Sequence, residues 1–206
     1  MKTRPVTVDE FITVVKTINN GGFQYKEVVT DKATGEKITK DRTFRANPRM
    51  AFALQLEANL GIRMGDVLAL KLTSFRENGR GGYMIDIIEQ KTSKARTFDI
   101  PNSLYDAIKA YVDDNGLSRD DLFFPIKIRV LQKNLKIVTE YLGLNNVSTH
   151  SFRKFYAMRI FENNDFNYEI VRELLQHSTV AVTQKYLGVT SSQVKKAIDE
   201  HSYLVI

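Results

Sequence analysis

The stretch NPRMAFALQLEANLG, residues 47–61, is the strongest constraint on how this chain can fold. Asn47 is a capping residue, Pro48 is pre-set for a first helical position and Gly61 suits a helix end, so the segment predicts one helix with marked ends. Between the marks, Met50, Ala51, Phe52, Ala53, Leu54, Leu56, Ala58 and Leu60 leave little polar face. A helix apolar around most of its circumference is stable in water only when other elements wrap it. It is therefore expected at the centre, with the rest of the chain as its coat. At 206 residues the chain is long enough to bury such a core within one domain.

The coat reads as mostly helical. Thr7 with Glu10 forms a capping box ahead of the stripe Phe11, Val14, Val15 and Ile18. QYKEVVTDKATGEKITK reads as a hairpin turning near Thr34 and Gly35, and MGDVLALK as a helix directly after the central one. GGYMIDIIEQ, KTSK and ARTFDIP give the clearest strand, turn and strand. A helix through Leu104, Ile108 and Tyr111 follows. Over Ile126 to Leu142, Leu131, Leu135, Val138 and Leu142 share one face, with Arg129, Lys133 and Lys136 opposite. Thr149 is expected to cap a helix running to about Phe161, Asn167 another to Gln176 and Ser178 a third ending near Tyr186. A last polar helix starts at Ser191 or Ser192. The fold class is mainly α with one small central antiparallel sheet or hairpin (α+β).

Composition narrows the setting. There is no cysteine, no run of transmembrane length and no signal-peptide core, which suits a reducing cytoplasmic location. Thirty basic residues against twenty-four acidic leave a charge of +6. Between Ile126 and Glu162 stand Lys127, Arg129, Lys133, Lys136, Arg153, Lys154 and Arg159 against only Glu140 and Glu162. Such clustering fits a nucleic-acid surface; a solvated helix face accounts for the charge equally well.

The chemistry rests on a few residues. His150 and Arg153 are three apart, so a helix places both in its first turn, where free amides and the dipole favour an anion. Arg63 stands between two apolar helices, where a charge needs an acid or a ligand anion, and Asp66 can fix its rotamer. Lys91 begins a hairpin turn from which an ammonium can reach outward and donate a proton. Singly, these read as a surface arginine, a structural Arg63–Asp66 pair and a surface lysine. Tyr186, nine residues after His177, changes their meaning. A phenol attacks phosphorus only where cations stabilise the phenolate, and two arginines on one phosphate supply that. The resulting aryl phosphodiester conserves bond energy, so a sugar hydroxyl can reseal the strand without ATP or metal.

In this order the residues resemble the catalytic domain of the tyrosine recombinase (phage integrase) family. GIRMGDVLALKLTSF is similar to its first arginine segment, giving Arg63 and Asp66. IIEQKTSKARTFDIP resembles the lysine hairpin, giving Lys91. THSFRKFYA resembles the histidine–arginine box, giving His150 and Arg153, and ELLQHSTVAVTQKYLG the last box, giving His177 and the nucleophile Tyr186. The resemblance covers about Asn47 to Val189. It implies that Arg63, Arg153, His150 and His177 hold the scissile phosphate, that Tyr186 forms a 3'-phosphotyrosyl link and that Lys91 protonates the leaving 5'-hydroxyl. No cofactor or metal is implied.

The same resemblance implies a single catalytic domain over 1–206, with an added hairpin over 21–45 and a tail over 189–206 that docks on a partner subunit. The family's N-terminal DNA-clamping domain has no counterpart in this sequence. The implied partner is double-stranded DNA at attachment or inversion sites, bound by a tetramer assembled from free monomers. Arg129, Lys133, Lys136 and Lys154 are the expected DNA contacts; Lys154 stands where the family usually has a further histidine. A catalytically inactive DNA-binding or assembly protein on the same fold is the alternative reading. A strand-swivelling topoisomerase shares the chemistry but resembles the chain less.

Overall fold

The central helix exists and is wrapped. In the computed structural model, which describes residues 3–188, α2 runs Pro48–Leu60 with the Asn47 side chain accepting from the Met50 amide at 3.0 Å. Met50, Ala51, Ala53, Leu54, Leu56, Glu57, Ala58 and Leu60 are all buried. Each fully buried leucine contributes about 1.5–3 kcal/mol, several times any difference in helix propensity, so packing holds this helix in place. The chain divides into two units, Met1–Tyr156 and Ala157–Ile206. The expected tail over 189–206 and its helix lie outside the described residues.

In the first unit, α1 (Val8–Asn20) begins with the expected capping box. The Glu10 amide donates to Thr7 Oγ1 at 3.2 Å, and the Thr7 amide donates to Glu10 Oε2 at 2.9 Å. Val14 and Ile18 carry its buried face. β1 (Gln24–Thr30) and β2 (Lys37–Thr43) pair antiparallel, Gln24 opposite Thr43 and Thr30 opposite Lys37. After α2, helix α3 (Met64–Leu68) is shorter than MGDVLALK suggests. Its end tightens, the Ala69 and Leu70 amides donating to the Asp66 and Val67 carbonyls, three residues back rather than four, both at 3.1 Å.

The lysine hairpin belongs to a three-stranded sheet. β4 (Tyr83–Ile88) and β5 (Ala95–Ile100) pair antiparallel as the expected strand, turn and strand, and a short β3 (Phe75–Glu77) adds an edge. Among the described residues this sheet and the β1–β2 hairpin are the two sheets. α4 (Asn102–Asp114) and α5 (Ile128–Tyr141) follow, with Leu131, Leu135 and Val138 buried and Arg129, Lys133 and Lys136 exposed as the periodicity predicts. α6 (Thr149–Asn163) starts at Thr149 itself, so Thr149 is a helical residue rather than the cap.

Residues of α6 from Ala157 onward belong to the second unit. There Phe161 packs edge-on to Phe166 and against Tyr168. α7 (Tyr168–Leu175) is capped by Asn167, whose carbonyl oxygen accepts from the Glu169 and Ile170 amides. α8 (Val180–Leu187) is capped by Thr179 instead of Ser178, the Thr179 hydroxyl accepting from the Val182 amide. Among the described residues no helix is long and apolar enough to cross a membrane.

Gly61 ends α2 in the left-handed region, with φ +59°, and a Cβ there would lie 2.2 Å from Cδ1 of Tyr156. Gly61→Ala combines left-handed strain with overpacking against a ring. It is expected to lower stability by about 2–5 kcal/mol, measured by denaturant unfolding.

Candidate active site

The carboxyl end of α2 gathers guanidinium groups. Arg153, from α6, donates through Nη1 to the Gly61 carbonyl at 2.7 Å, and Arg96, from β5, approaches the same oxygen at 3.5 Å. A helix C-terminus is the negative end of its dipole, so cations are favoured there. Both arginines are almost wholly buried, and Arg96 also faces the Phe98 ring. Burial, then Arg153, pull the Arg96 pKa down to about 10, still well above neutrality.

Arg63 lies two residues beyond Gly61, at the cap position of α3 with extended backbone. Being outside the helix, it does not share a helical face with Asp66, and the expected Arg63–Asp66 pair does not form. Arg63 Nη1 instead donates to Glu89 Oε2 at 2.7 Å, while Asp66 Oδ1 accepts from the Gln90 amide at 2.8 Å. Glu89 Oε2 also accepts from Thr92 Oγ1 at 2.8 Å, and Arg96 Nη1 stands 3.5 Å from Glu89 Oε1. Burial alone would raise the Glu89 pKa; the bonds from Arg63 and Thr92 outweigh it and hold the carboxylate below its ordinary value. Solvent barely touches Glu89. Lys91, exposed, follows directly on this anchored base of the turn.

His150, one helical turn before Arg153, keeps an exposed face. Its pKa is nonetheless lowered from 6.5. Close packing around part of the ring is the largest cause, followed by the charges of Arg153, Arg63, Lys154 and Lys91. The imidazole thus senses cations from its own helix and from two distant segments, those of Arg63 and Lys91. Glu57, in the last turn of α2, is buried with neither carboxyl oxygen hydrogen-bonded; the Met64 amide points toward it without completing a bond. Burial lifts its pKa well above 4.5 against the pull of Arg153, so it stays protonated well above that pH.

The sequence model of the phage integrase family matches residues 31–193. The chain belongs to that family. It is 27% identical over 154 residues to a probable integrase/recombinase of Acholeplasma phage L2, covering 72% of this chain and 50% of that protein. It is 25% identical over 171 residues to the probable integrase/recombinase YoeC of Bacillus subtilis (strain 168), covering 79% and 91%. The fold of this integrase-family chain matches XerH bound to difH DNA with a TM-score of 0.66 at 16% identity, covering 95% of this chain and 52% of that one. The catalytic domain of bacteriophage HP1 integrase matches at TM-score 0.59 and 16% identity, covering 97% and 95%.

In the second unit His177 and Tyr186 meet, ring centroids 5.1 Å apart and nearly edge to face. His177 Nδ1 is 3.0 Å from Thr183 Oγ1, a buried hydroxyl that fixes the ring from inside α8. Of the expected DNA contacts, Arg129 is exposed on α5, Lys133 pairs with Glu27 at 2.6 Å, and Lys136 lies 3.6 Å from Glu140. Lys154 departs from expectation. It is buried, and its ammonium donates to the Thr3 carbonyl at 2.8 Å, which ties down the start of the chain rather than presenting a charge to solvent.

Glu89, Arg96 and Glu57 were missed by sequence reasoning. The first two were legible: on an alternating strand Ile85 and Ile87 put Glu89 inward, and Ile100 and Phe98 do the same for Arg96. Glu57 makes a testable stability claim. Its folded pKa is raised, so it contributes most below about pH 4.5 and progressively less as pH rises toward the folded value. Glu57→Gln is expected to flatten the fall in thermal stability above pH 4.5 and to be more stable than the wild type at pH 8, read by melting curves across pH.

Proposed function

We propose that the chain carries out site-specific strand exchange on double-stranded DNA through a 3'-phosphotyrosyl intermediate. The observation that carries the reading is geometric: Arg153 bonds the Gly61 carbonyl two residues before Arg63, His150 lies one turn before Arg153, and Glu89 ties Arg63 to the turn that carries Lys91. Cations gathered in this way call for an anion of matching geometry, and a phosphodiester offers two non-bridging oxygens to two guanidinium forks.

In this reading Arg63 and Arg153 bind those oxygens, with His150 and His177 donating to them or relaying the phenol proton. The Tyr186 oxygen attacks phosphorus, the bond to the 5'-oxygen breaks, and the departing oxygen takes a proton from Lys91. A 5'-hydroxyl of a partner strand then attacks the same phosphorus and releases Tyr186. The family match, the names of the relatives and the DNA-bound state of XerH support this reading. A tetramer assembling on DNA at attachment or inversion sites belongs to the same proposal.

DNA is proposed to lie along the exposed face of α5. A groove of ≈ 420 Å³ lined by Gln132, Leu135, Lys136, Val147, Ser148, Thr149 and His150 joins that face to the histidine. With Lys154 buried, Arg129, Lys133 and Lys136 remain as the surface contacts. About four phosphate contacts predict affinity that falls about 100-fold between 50 and 200 mM salt. A fluorescence-anisotropy titration at the two salt concentrations checks this.

The nucleophile is tested with nicked suicide duplexes tiled across the DNA flanking the gene, followed by denaturing electrophoresis. Wild type is expected to yield a covalent protein–DNA band and Tyr186→Phe none. Tyr156→Phe, which alters a partly buried phenol whose pKa burial raises and whose ring covers Gly61, is expected to keep the band. Loss of the band in Tyr156→Phe with retention in Tyr186→Phe would reverse the assignment.

A further inference from the structure

We infer that Glu89 is a positioning residue that links the phosphate-binding Arg63 to the proton donor Lys91, so that both are set by one carboxylate. The inference rests on the strand-exchange reading above and adds to it a residue of the lysine hairpin to which the resemblance gives no role.

The geometry is specific. One oxygen of Glu89, Oε2, accepts simultaneously from Arg63 Nη1 at 2.7 Å and from Thr92 Oγ1 at 2.8 Å. Arg63 leads into α3, whereas Thr92 is in the turn and adjoins Lys91. Backbone bonds close that turn around the same residue: the Glu89 amide donates to the Lys94 carbonyl at 2.9 Å, and the Ser93 amide to the Glu89 carbonyl at 2.8 Å. Asp66 fixes the far side by accepting from the Gln90 amide. Lys91 is therefore the first residue after a base anchored at both Glu89 and Gln90. Only its own side-chain torsions separate the ammonium from the Arg63 frame.

Glu89 itself is nearly sealed from solvent. A buried carboxylate that bonds one arginine and stands 3.5 Å from a second is held in place from several sides. A shift in Arg63 is thus transmitted to the lysine turn through a single shared oxygen. Misplacing a general acid by about 1 Å can cost on the order of 100-fold in rate, so a link of this kind is worth what it contributes in placement alone.

The consequence concerns the leaving group. In cleavage the bond from phosphorus to the Tyr186 oxygen forms and the bond to the 5'-oxygen breaks, and that oxygen needs the Lys91 proton. If sulfur replaces the bridging 5'-oxygen, the bond from phosphorus to sulfur breaks and the strand leaves as a thiolate that needs no proton. A defect caused by a displaced Lys91 is repaired by sulfur; one caused by a displaced Arg63 or by poor folding is not.

The experiment compares wild type, Glu89→Gln and Thr92→Val on nicked suicide duplexes with either oxygen or sulfur at the 5' bridge. Thr92→Val removes only the hydroxyl link and leaves the Arg63–Glu89 pair, so it serves even if Glu89→Gln folds poorly. With oxygen, Thr92→Val is expected to cleave about 10-fold more slowly than wild type and Glu89→Gln about 100-fold more slowly. With sulfur, Thr92→Val is expected to match wild type and Glu89→Gln to recover part of its loss. Unchanged cleavage of oxygen DNA by Thr92→Val, or an equal deficit on both substrates, overturns the inference. Absence of a wild-type covalent band on either substrate instead overturns the strand-exchange reading, and this inference with it.

Discussion

The carbonyl oxygen of Gly61 is the point from which the first unit is organised. A helix end leaves carbonyls without partners, and a buried one must find donors elsewhere. Here the donors are guanidinium groups from α6 and β5, two segments that local propensity has no means of bringing together. Gly61 also has to lack a side chain, because the Tyr156 ring occupies the space one would fill. One glycine therefore ends the central helix, admits the ring and exposes the oxygen that holds Arg153.

From that point the charges follow in order. Arg63 leaves the helix end in extended conformation and reaches Glu89, and Glu89 in turn reaches Thr92 beside Lys91. Glu57, close enough for Arg153 to influence it, is pushed toward its neutral form by burial. Asp66 spends its hydrogen bond on the hairpin backbone. Glu89 is thus the carboxylate paired with the site's cations, against the guanidinium groups of Arg63, Arg96 and Arg153, an excess of positive charge that suits a site that must receive an anion from outside.

How much of this could be read from the sequence depended on the kind of signal. Caps and periodicities were legible: Asn47, Gly61 and the apolar run between them gave α2, and the spacing of Leu131, Leu135 and Val138 gave α5. The order of the motif segments gave the family. Long-range partners were not legible. Asp66 was assigned to Arg63 by a helical rule that fails at a cap position, and Lys154 was placed at the surface because nothing local announces the Thr3 carbonyl. β3 is only three residues long, too short for alternation to register, and nothing in MGDVLALK marks the point where the last turn of α3 tightens.

The hairpin β1–β2 has a quieter role in the α5 surface. Its Glu27 bonds Lys133 at 2.6 Å and also Arg42, and either bond lowers the acid's pKa. On the strand-exchange reading, Lys133 can greet a phosphate only by relinquishing a carboxylate already in hand. That swap gives up one ion pair to make another, so the loss of Glu27 offsets part of what the phosphate contact gains and the lysine adds little to indiscriminate adhesion. Glu27 thus behaves as a resident decoy: it leaves the lysine unrewarded by a casual encounter and makes good alignment of the backbone the condition for gain.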